Sequence, residues 1–332
     1  MKKKHRVRQF FLAIGVLVIL AGGCSFLPSP APKPAPEAPA PSPVEPIPGV
    51  ELLNVNNYKN EPTITVWIAD KGSVESMMLE KYLEGVVAKE MLPDWPIEAL
   101  AAQAITSRTL TLHAIEAGTI KRLHHADVST SKEELQAYAP ELVNENVKEA
   151  VRRTRGQVLV YAGGLINAIY SSCNGQIAAT KEESFPKEIP TPTPYFQPVT
   201  DQCFQYAPEK EQSWEVKIPG YEVAAAIGYH GNPADIRILE KGPSGRILTI
   251  GAGNQKIFGA EFRKAVGYDR LRSTLITEMN YDGQNFVFKG MGWGNGVGMC
   301  QWGAYTYAKQ GKTAEDIVKT YYVGADVIKL WQ

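Results

Sequence analysis

The sequence predicts an α+β domain, two-lobed, with mixed sheets and helices around a substrate cleft, over residues 51–332 of the 332-residue chain. Three observations carry that expectation. Thr63-Ile-Thr-Val-Trp-Ile-Ala69 alternates and is rich in β-branched residues, as a strand does. Gly156–Tyr161 and Leu165–Tyr170 read as two strands flanking a Gly163-Gly164 turn. Between them, Tyr82–Glu90 and Ile97–Ala117 place apolar residues at helical spacing. The length suits a two-lobed single unit as well as two domains.

The segment before this domain has a different character. Met1-Lys-Lys-Lys-His-Arg-Val-Arg8, an apolar run from Phe10 to Leu20 and Ala21-Gly22-Gly23 describe a secretory signal peptide over residues 1–23. The apolar run is shorter than the ~20 residues needed to span a bilayer as a helix. Cys24 after Ala-Gly-Gly resembles the lipidation site of a bacterial lipoprotein, with Ala21 where leucine is usual. The expectation is an exported protein anchored by lipid on the outer face of the cytoplasmic membrane, facing the cell wall. Residues 24–50 are dense in proline, which fixes φ and removes backbone donors, so they form an extended linker. Thirty-five basic residues balance thirty-five acidic ones, and no basic stripe argues for nucleic acid. Beyond Cys24 only Cys173, Cys203 and Cys300 remain, enough for one disulfide and one leftover thiol; loop position favours Cys173 with Cys203.

Along the domain, Val74–Met78 forms a short second strand leading into the first helix. Pro93-Asp94-Trp95-Pro96 marks a corner, and the next helix starts with Pro96 and Glu98 at its first turn and stops at Gly118. Leu123–Tyr138 reads as an irregular loop. His124, His125 and Asp127 lie in it, but no further ligand follows at metal spacing. Asn144–Thr154 is a helix with Val147, Ala150 and Val151 inward. The hairpin then delivers Tyr170, Ser171, Ser172, Asn174 and Gln176, a run of neutral hydrogen-bonding groups that suits either a sugar site or an ordinary loop. Several strands and a short helix at Val223–Gly228 occupy Ser213–Ile250, and Phe258–Gly267 is a helix ended by glycine. Glycines at 290, 292, 294, 296 and 298 let the backbone bend or approach a ligand. No Lys-Ser/Thr follows as in a phosphate loop. Trp293, Asn295, Gln301 and Trp302 would set rings and amides beside a cleft. Two helices, Ala304–Gly311 and Thr313–Tyr322, close the chain at Gly324.

Glu90 is the singular residue. It continues the stripe formed by Leu83, Val86 and Val87, whereas Glu84 and Lys89 point elsewhere. A carboxyl on the apolar side of a helix has its charged form penalised, as a general acid near neutral pH requires. The competing reading is a structural ion pair, with Arg108 on the next helix as the partner.

Taken together, Tyr82-Leu-Glu-Gly-Val-Val-Ala-Lys-Glu-Met91, Glu98-Ala-Leu-Ala-Ala-Gln-Ala-Ile-Thr-Ser-Arg-Thr109, Ser172-Cys-Asn-Gly-Gln176 and Gly292-Trp-Gly-Asn-Gly-Val-Gly-Met-Cys-Gln-Trp-Gly-Ala304 resemble the SpoIID/LytB family. The resemblance spans roughly residues 62–329. It implies a peptidoglycan lytic transglycosylase, which cleaves between N-acetylmuramic acid and N-acetylglucosamine and leaves a 1,6-anhydro ring. The alternatives are a non-catalytic glycan-binding enhancer of a cell-wall amidase, or a muramidase-type hydrolase with a second carboxylate from Asp94, Glu98, Glu182 or Glu183. It implies sporulation as a setting, peptidoglycan strands and a cell-wall amidase as partners, and no cofactor. Glu90 falls on the family's catalytic glutamate. Arg108, Tyr170, Ser171, Ser172, Asn174, Gln176, Trp293, Asn295 and Gln301 are the expected substrate-binding residues. Two positions depart from the family: Asn295 stands for histidine and Cys300 for serine. Zinc, bound in some members through Cys and His before the Gln-Ala-Tyr block, is not carried over, because that loop here holds no cysteine.

Overall fold

The computed structural model describes residues 52–187 and 192–332. The basic head, Cys24 and most of the proline-rich linker lie outside the described residues. No helix among those described is long and apolar enough to cross a membrane.

Strand β1 (Thr63–Ile68) buries Ile64, Val66 and Ile68 and pairs antiparallel with β2 (Ser73–Met78) across a turn closed by Gly72 at φ +62°. Helix α1 (Leu79–Glu90) follows without a break and buries Leu79, Leu83, Val86 and Val87 completely. Helix α2 (Ile97–Ala117) starts after the proline corner and ends at Gly118, which takes the left-handed conformation a helix end favours. Its alanines 99, 101, 102 and 104 are buried, so neighbours can close on the helix from more than one side. After α3 (Lys121–His124), β3 (Val128–Ser129) adds a parallel partner to β1. Helix α4 (Glu145–Arg153) is capped by the Asn144 side chain, which accepts from the Val147 amide. Strand β4 (Gln157–Tyr161) follows.

The anticipated hairpin is corrected at its second arm. Only β5 (Gly164–Leu165) pairs back onto β4. The chain then leaves that sheet, and β6 (Tyr170–Ser171) pairs with a strand more than a hundred residues later. Local alternation gave no warning, because the competing partner is remote in sequence.

Short helices α5 (Lys181–Ser184) and α6 (Glu209–Gln212) lead to the second lobe. There β7 (Trp214–Pro219), α7 (Gly220–Ile227), β8 (Arg237–Lys241), β9 (Ile247–Ala252), β10 (Gln255–Phe258), α8 (Gly259–Val266), β11 (Ile276–Tyr281) and β12 (Asn285–Gly290) follow in order. Two antiparallel sheets, β10-β9-β8 and β11-β12-β7, share a core of its own around Ile250, Phe262, Phe286 and Phe288. The chain then returns to the first lobe. Strand β13 (Met299–Cys300) is the parallel partner of β6, α9 (Gln301–Lys309) and α10 (Ala314–Tyr321) pack on α2, and β14 (Asp326–Lys329) joins β4.

One buried ion pair ties the first lobe together. Arg108, with no exposed surface, reaches Glu80 through Nη2 at 2.5 Å and Nε at 3.1 Å, and donates from Nη1 to the Gln157 carbonyl at 3.0 Å. Glu80 also accepts from the Gly156 amide and the Trp331 indole, at 3.0 and 3.1 Å. The pair therefore joins α1, α2, the start of β4 and the C-terminus. Arg108 is neither the partner of Glu90 nor a substrate-binding residue: a cation with no surface cannot meet a ligand. Removing one side leaves the other buried and uncompensated, which typically costs ~3–5 kcal/mol. Arg108→Ala and Glu80→Ala should each lower the free energy of unfolding in urea by about that amount, and the double variant should lose less than the sum. Additive losses would show that the pair is not coupled.

Candidate active site

Helix α1 ends on Glu90, and the corner after it turns the chain away. The carboxyl is half-buried and sits among neutral partners. Oε1 accepts from the Ala137 amide at 2.8 Å. The Tyr170 hydroxyl bonds to the carboxyl and also to Gln136 Oε1 at 3.2 Å. Gln301 Nε2 donates to the Glu90 backbone carbonyl at 3.0 Å and stands 3.5 Å from Oε2.

Two further side chains complete the arrangement. Gln103 Oε1 lies 3.4 Å from Gln301 Nε2, and its amide donates to Ser107 Oγ at 2.9 Å. Ser107 in turn bonds to Tyr170. The result is a closed circuit, Glu90–Gln301–Gln103–Ser107–Tyr170, joining α1, α2, β6 and α9. Gln136 extends it to Thr111 Oγ1 at 2.9 Å. Burial raises the Glu90 pKa above its ordinary value, and the bonds from Ala137, Tyr170 and Gln301 only partly oppose that. Lys89 adds the weakest opposing influence. A carboxyl poised in this way holds its proton to higher pH than an exposed glutamate does. The buried Tyr82 phenol stacks on Tyr138, and burial together with the Glu90 charge keeps it protonated.

Of the residues expected to surround Glu90, the structure brings Tyr170 and Gln301 to it. Others serve the framework. Asn174 is fully buried, with Nδ2 on the Gly298 carbonyl at 3.0 Å and Oδ1 accepting from Ser171 Oγ at 2.7 Å. Ser171 and Asn174 thus hold β6 against the glycine-rich block, and their burial corrects the expectation that they bind substrate. Ser172 Oγ donates to Glu211 at 2.6 Å. Gln176 is exposed in a left-handed turn at φ +78°. The Trp293 ring lies under the Arg272 guanidinium and Lys210.

Asn295 folds onto its own backbone, with Oδ1 accepting from the Val297 amide at 2.7 Å. It lines a cleft of about 510 Å³ with Ser184, Lys187, Arg263, Lys264 and Tyr268. Asn295 Nδ2 also stands 3.5 Å from the carbonyl of Tyr170, whose hydroxyl meets Glu90, although neither Glu90 nor Gln301 lines this cleft. The glycines have a packing purpose as well. A Cβ at Gly296 would run into the Arg246 guanidinium, and one at Gly298 into the Ile169 carbonyl.

Sequence reasoning missed Gln103, Ser107 and Gln136. The first two left a signal, since polar side chains within the alanine-rich stretch of α2 need a partner once buried. Gln136 left none, because its loop carries no periodicity. In that same loop His124 stacks on Trp67 and bonds to Glu134, and Asp127 is held by Thr65.

Comparison with known proteins bears on this geometry. Residues 69–161 match the family model SpoIID, described as Stage II sporulation protein. An uncharacterized protein of Brachyspira hyodysenteriae is 32% identical over 257 residues, covering 77% of this chain and 68% of that one. Stage II sporulation protein D of Bacillus subtilis is 28% identical over 279 residues, covering 80% and 78%. The chain belongs to the SpoIID/LytB family. A further relative, the Amidase enhancer of Bacillus subtilis, is 25% identical over 291 residues, and the alignment covers 39% of it. Glu90, Gln103, Ser107 and Gln136 all fall inside the stretch matched by the SpoIID family model.

The raised pKa has a consequence for stability. Above the ordinary value of 4.5 the unfolded chain loses the Glu90 proton while the native state still keeps it. Stability from this group is therefore fully present below 4.5 and is lost as pH rises through the native value. Glu90→Gln cannot titrate. Its unfolding free energy relative to the natural protein should be level in acid and should climb as pH rises above 4.5. A difference that falls with pH would mean the site stabilises the charged carboxylate.

Proposed function

We propose that the protein acts on the bacterial cell wall as a lytic transglycosylase, cutting peptidoglycan glycan strands with Glu90 as acid and then base. The observation that carries this reading is the Glu90 carboxyl itself: half-buried, biased towards its protonated form, and held by neutral groups rather than by a cation. Protonated Glu90 gives its proton to the glycosidic oxygen as the bond to C1 breaks. The carboxylate then takes the proton of the muramic C6 hydroxyl as that oxygen closes onto C1. The proton count balances and no water is consumed, so one carboxyl serves both steps.

Three of the four candidate second carboxylates are engaged elsewhere, which favours this over a two-carboxylate hydrolysis; the fourth, Glu182, is exposed. Glu98 is paired with Arg153 and the Ala314 amide, Asp94 bonds to Asn144, and Glu183 is buried against Ser244 and the Thr180 amide. Beside the corner after Glu90, Trp95, Trp302 and Tyr305 form a ring cluster with centroids 4.5 to 5.6 Å apart. Trp302 and Tyr305, both partly exposed, give a sugar an apolar face to lie on.

Glu90→Gln should keep the fold and glycan binding and lose ~100- to 10,000-fold in release of anhydro-muropeptides from purified sacculi, read by mass spectrometry. Undiminished release would remove Glu90 from the chemistry. Products with reducing ends would make the protein a hydrolase. Binding without products would leave the reading suggested by the relative named Amidase enhancer, a glycan-binding protein that stimulates a partner.

The same proposal extends to location. The basic head, the short apolar run and Ala21-Gly22-Gly23-Cys24 support export and anchoring through lipid on Cys24. The natural chain should partition into detergent with a lipidated N-terminal cysteine, and Cys24→Ser should move to the aqueous phase. An unmodified N-terminus elsewhere would overturn the anchor.

A further inference from the structure

Outside the Glu90 circuit, one cluster of reactive groups has no part in the chemistry above. Cys173, Cys203 and Cys300 are all buried free thiols, and their three sulfur atoms lie within 4.8 Å of one another. Cys173 and Cys203, the pair expected to form a disulfide, stand 3.2 Å apart. The thiol left over in that scheme, Cys300, occupies the same small space. Tetrahedral zinc with sulfur bonds of ~2.3 Å separates its sulfurs by about 3.8 Å; the Cys173–Cys203 contact is shorter than that, so those two thiols would part slightly around an ion.

Backbone amides are aimed at two of the sulfurs, whereas burial raises the Cys300 thiol well above its ordinary value. Cys300 Sγ accepts from the Asn174 amide at 3.2 Å and the Gly303 amide at 3.4 Å. Cys203 also receives the amides of Gly175 and Gln176. Gly175 and Gln176 both take left-handed backbone conformations, which turns successive N–H groups towards one point. The buried Arg246 guanidinium lies within electrostatic reach of Glu183 and of the three sulfurs.

A second, independent feature points into the cluster. Asp201 is 3% exposed, and its Oδ1 accepts from the Cys203 amide at 2.9 Å. The same buried carboxyl is met by the side chains of Cys300 and Tyr321, so it sits directly against the thiol cluster.

We propose that Cys173, Cys203 and Cys300 bind a divalent cation of the zinc class through three thiolates, beside the Asp201 carboxyl. Binding releases three thiol protons and changes no oxidation state. The metal would clamp three segments at one point. Cys173 lies three residues after Tyr170, Cys300 immediately precedes Gln301, and Cys203 fixes the loop between them in sequence. Metal and Glu90 therefore meet only through Tyr170 and Gln301, so the site is a positioning device rather than part of the reaction.

The test uses the full chain, purified in detergent under reductant. Zinc added alone should bind at one equivalent per chain by elemental analysis and raise the melting temperature. Cobalt(II) in its place should give an intense near-ultraviolet sulfur-to-cobalt charge-transfer band. Cys300→Ser, nearly isosteric, should reduce that band by about one third and weaken zinc binding at least tenfold. Asp201→Asn should keep the band, since the carboxyl lies beside the sulfurs rather than among the ligands. Glu90→Gln should bind zinc unchanged, which separates this proposal from the reading of the active site. The proposal is overturned if the reduced chain binds no stoichiometric zinc, if the cobalt form lacks the band, or if peptide mapping of the exported protein finds Cys173 and Cys203 joined as a disulfide.

Discussion

The first lobe depends on the buried pair between Glu80 and Arg108. A guanidinium with no solvent contact is tolerable only when its donors are met, and here a carboxylate and two backbone carbonyls meet them. Because Glu80 lies in the first turn of α1 and Arg108 in the middle of α2, the pair fixes how the two helices cross. The Gly156 amide and the Trp331 indole, on the same carboxylate, carry that constraint to β4 and the C-terminus. Glu90, at the other end of α1, inherits its position from this junction.

The two glutamates of one helix show how environment divides roles. Glu80 faces a cation and serves structure. Glu90 faces amides and hydroxyls, so burial is not offset by an opposing charge, and its proton is held more tightly. The ring of Gln103, Ser107, Tyr170 and Gln301 orients the carboxyl while leaving it able to exchange a proton. Each member comes from a different strand or helix except for Gln103 and Ser107, which are one turn apart on α2 and bonded to each other.

The glycine-rich block makes this circuit possible. Gln301 sits beside Glu90 because Met299 and Cys300 run parallel to Tyr170 and Ser171. That pairing requires the preceding backbone to lie against Ile169 and Arg246, where side chains at 296 and 298 would collide. The spacing of glycines that looked like a ligand-binding loop is thus mainly a solution to close packing.

Much was legible in the sequence. The strand at Thr63, the helix ended by Gly118 and the Asn144 cap follow from local periodicity and end signals, which need no distant partner. Glu90 also stood out locally, because a carboxyl on an apolar stripe is anomalous within three turns of helix. Only tertiary structure decided whom it would meet. Arg108 matched by charge and proximity along the chain, yet Glu80 and two backbone carbonyls satisfied its donors better. Tyr170 left its hairpin for a strand more than a hundred residues away, and three cysteines scattered over 128 residues converged on one point. Local sequence determines which groups must be buried, whereas the choice of partner is a competition among all such groups, settled only when the whole chain packs.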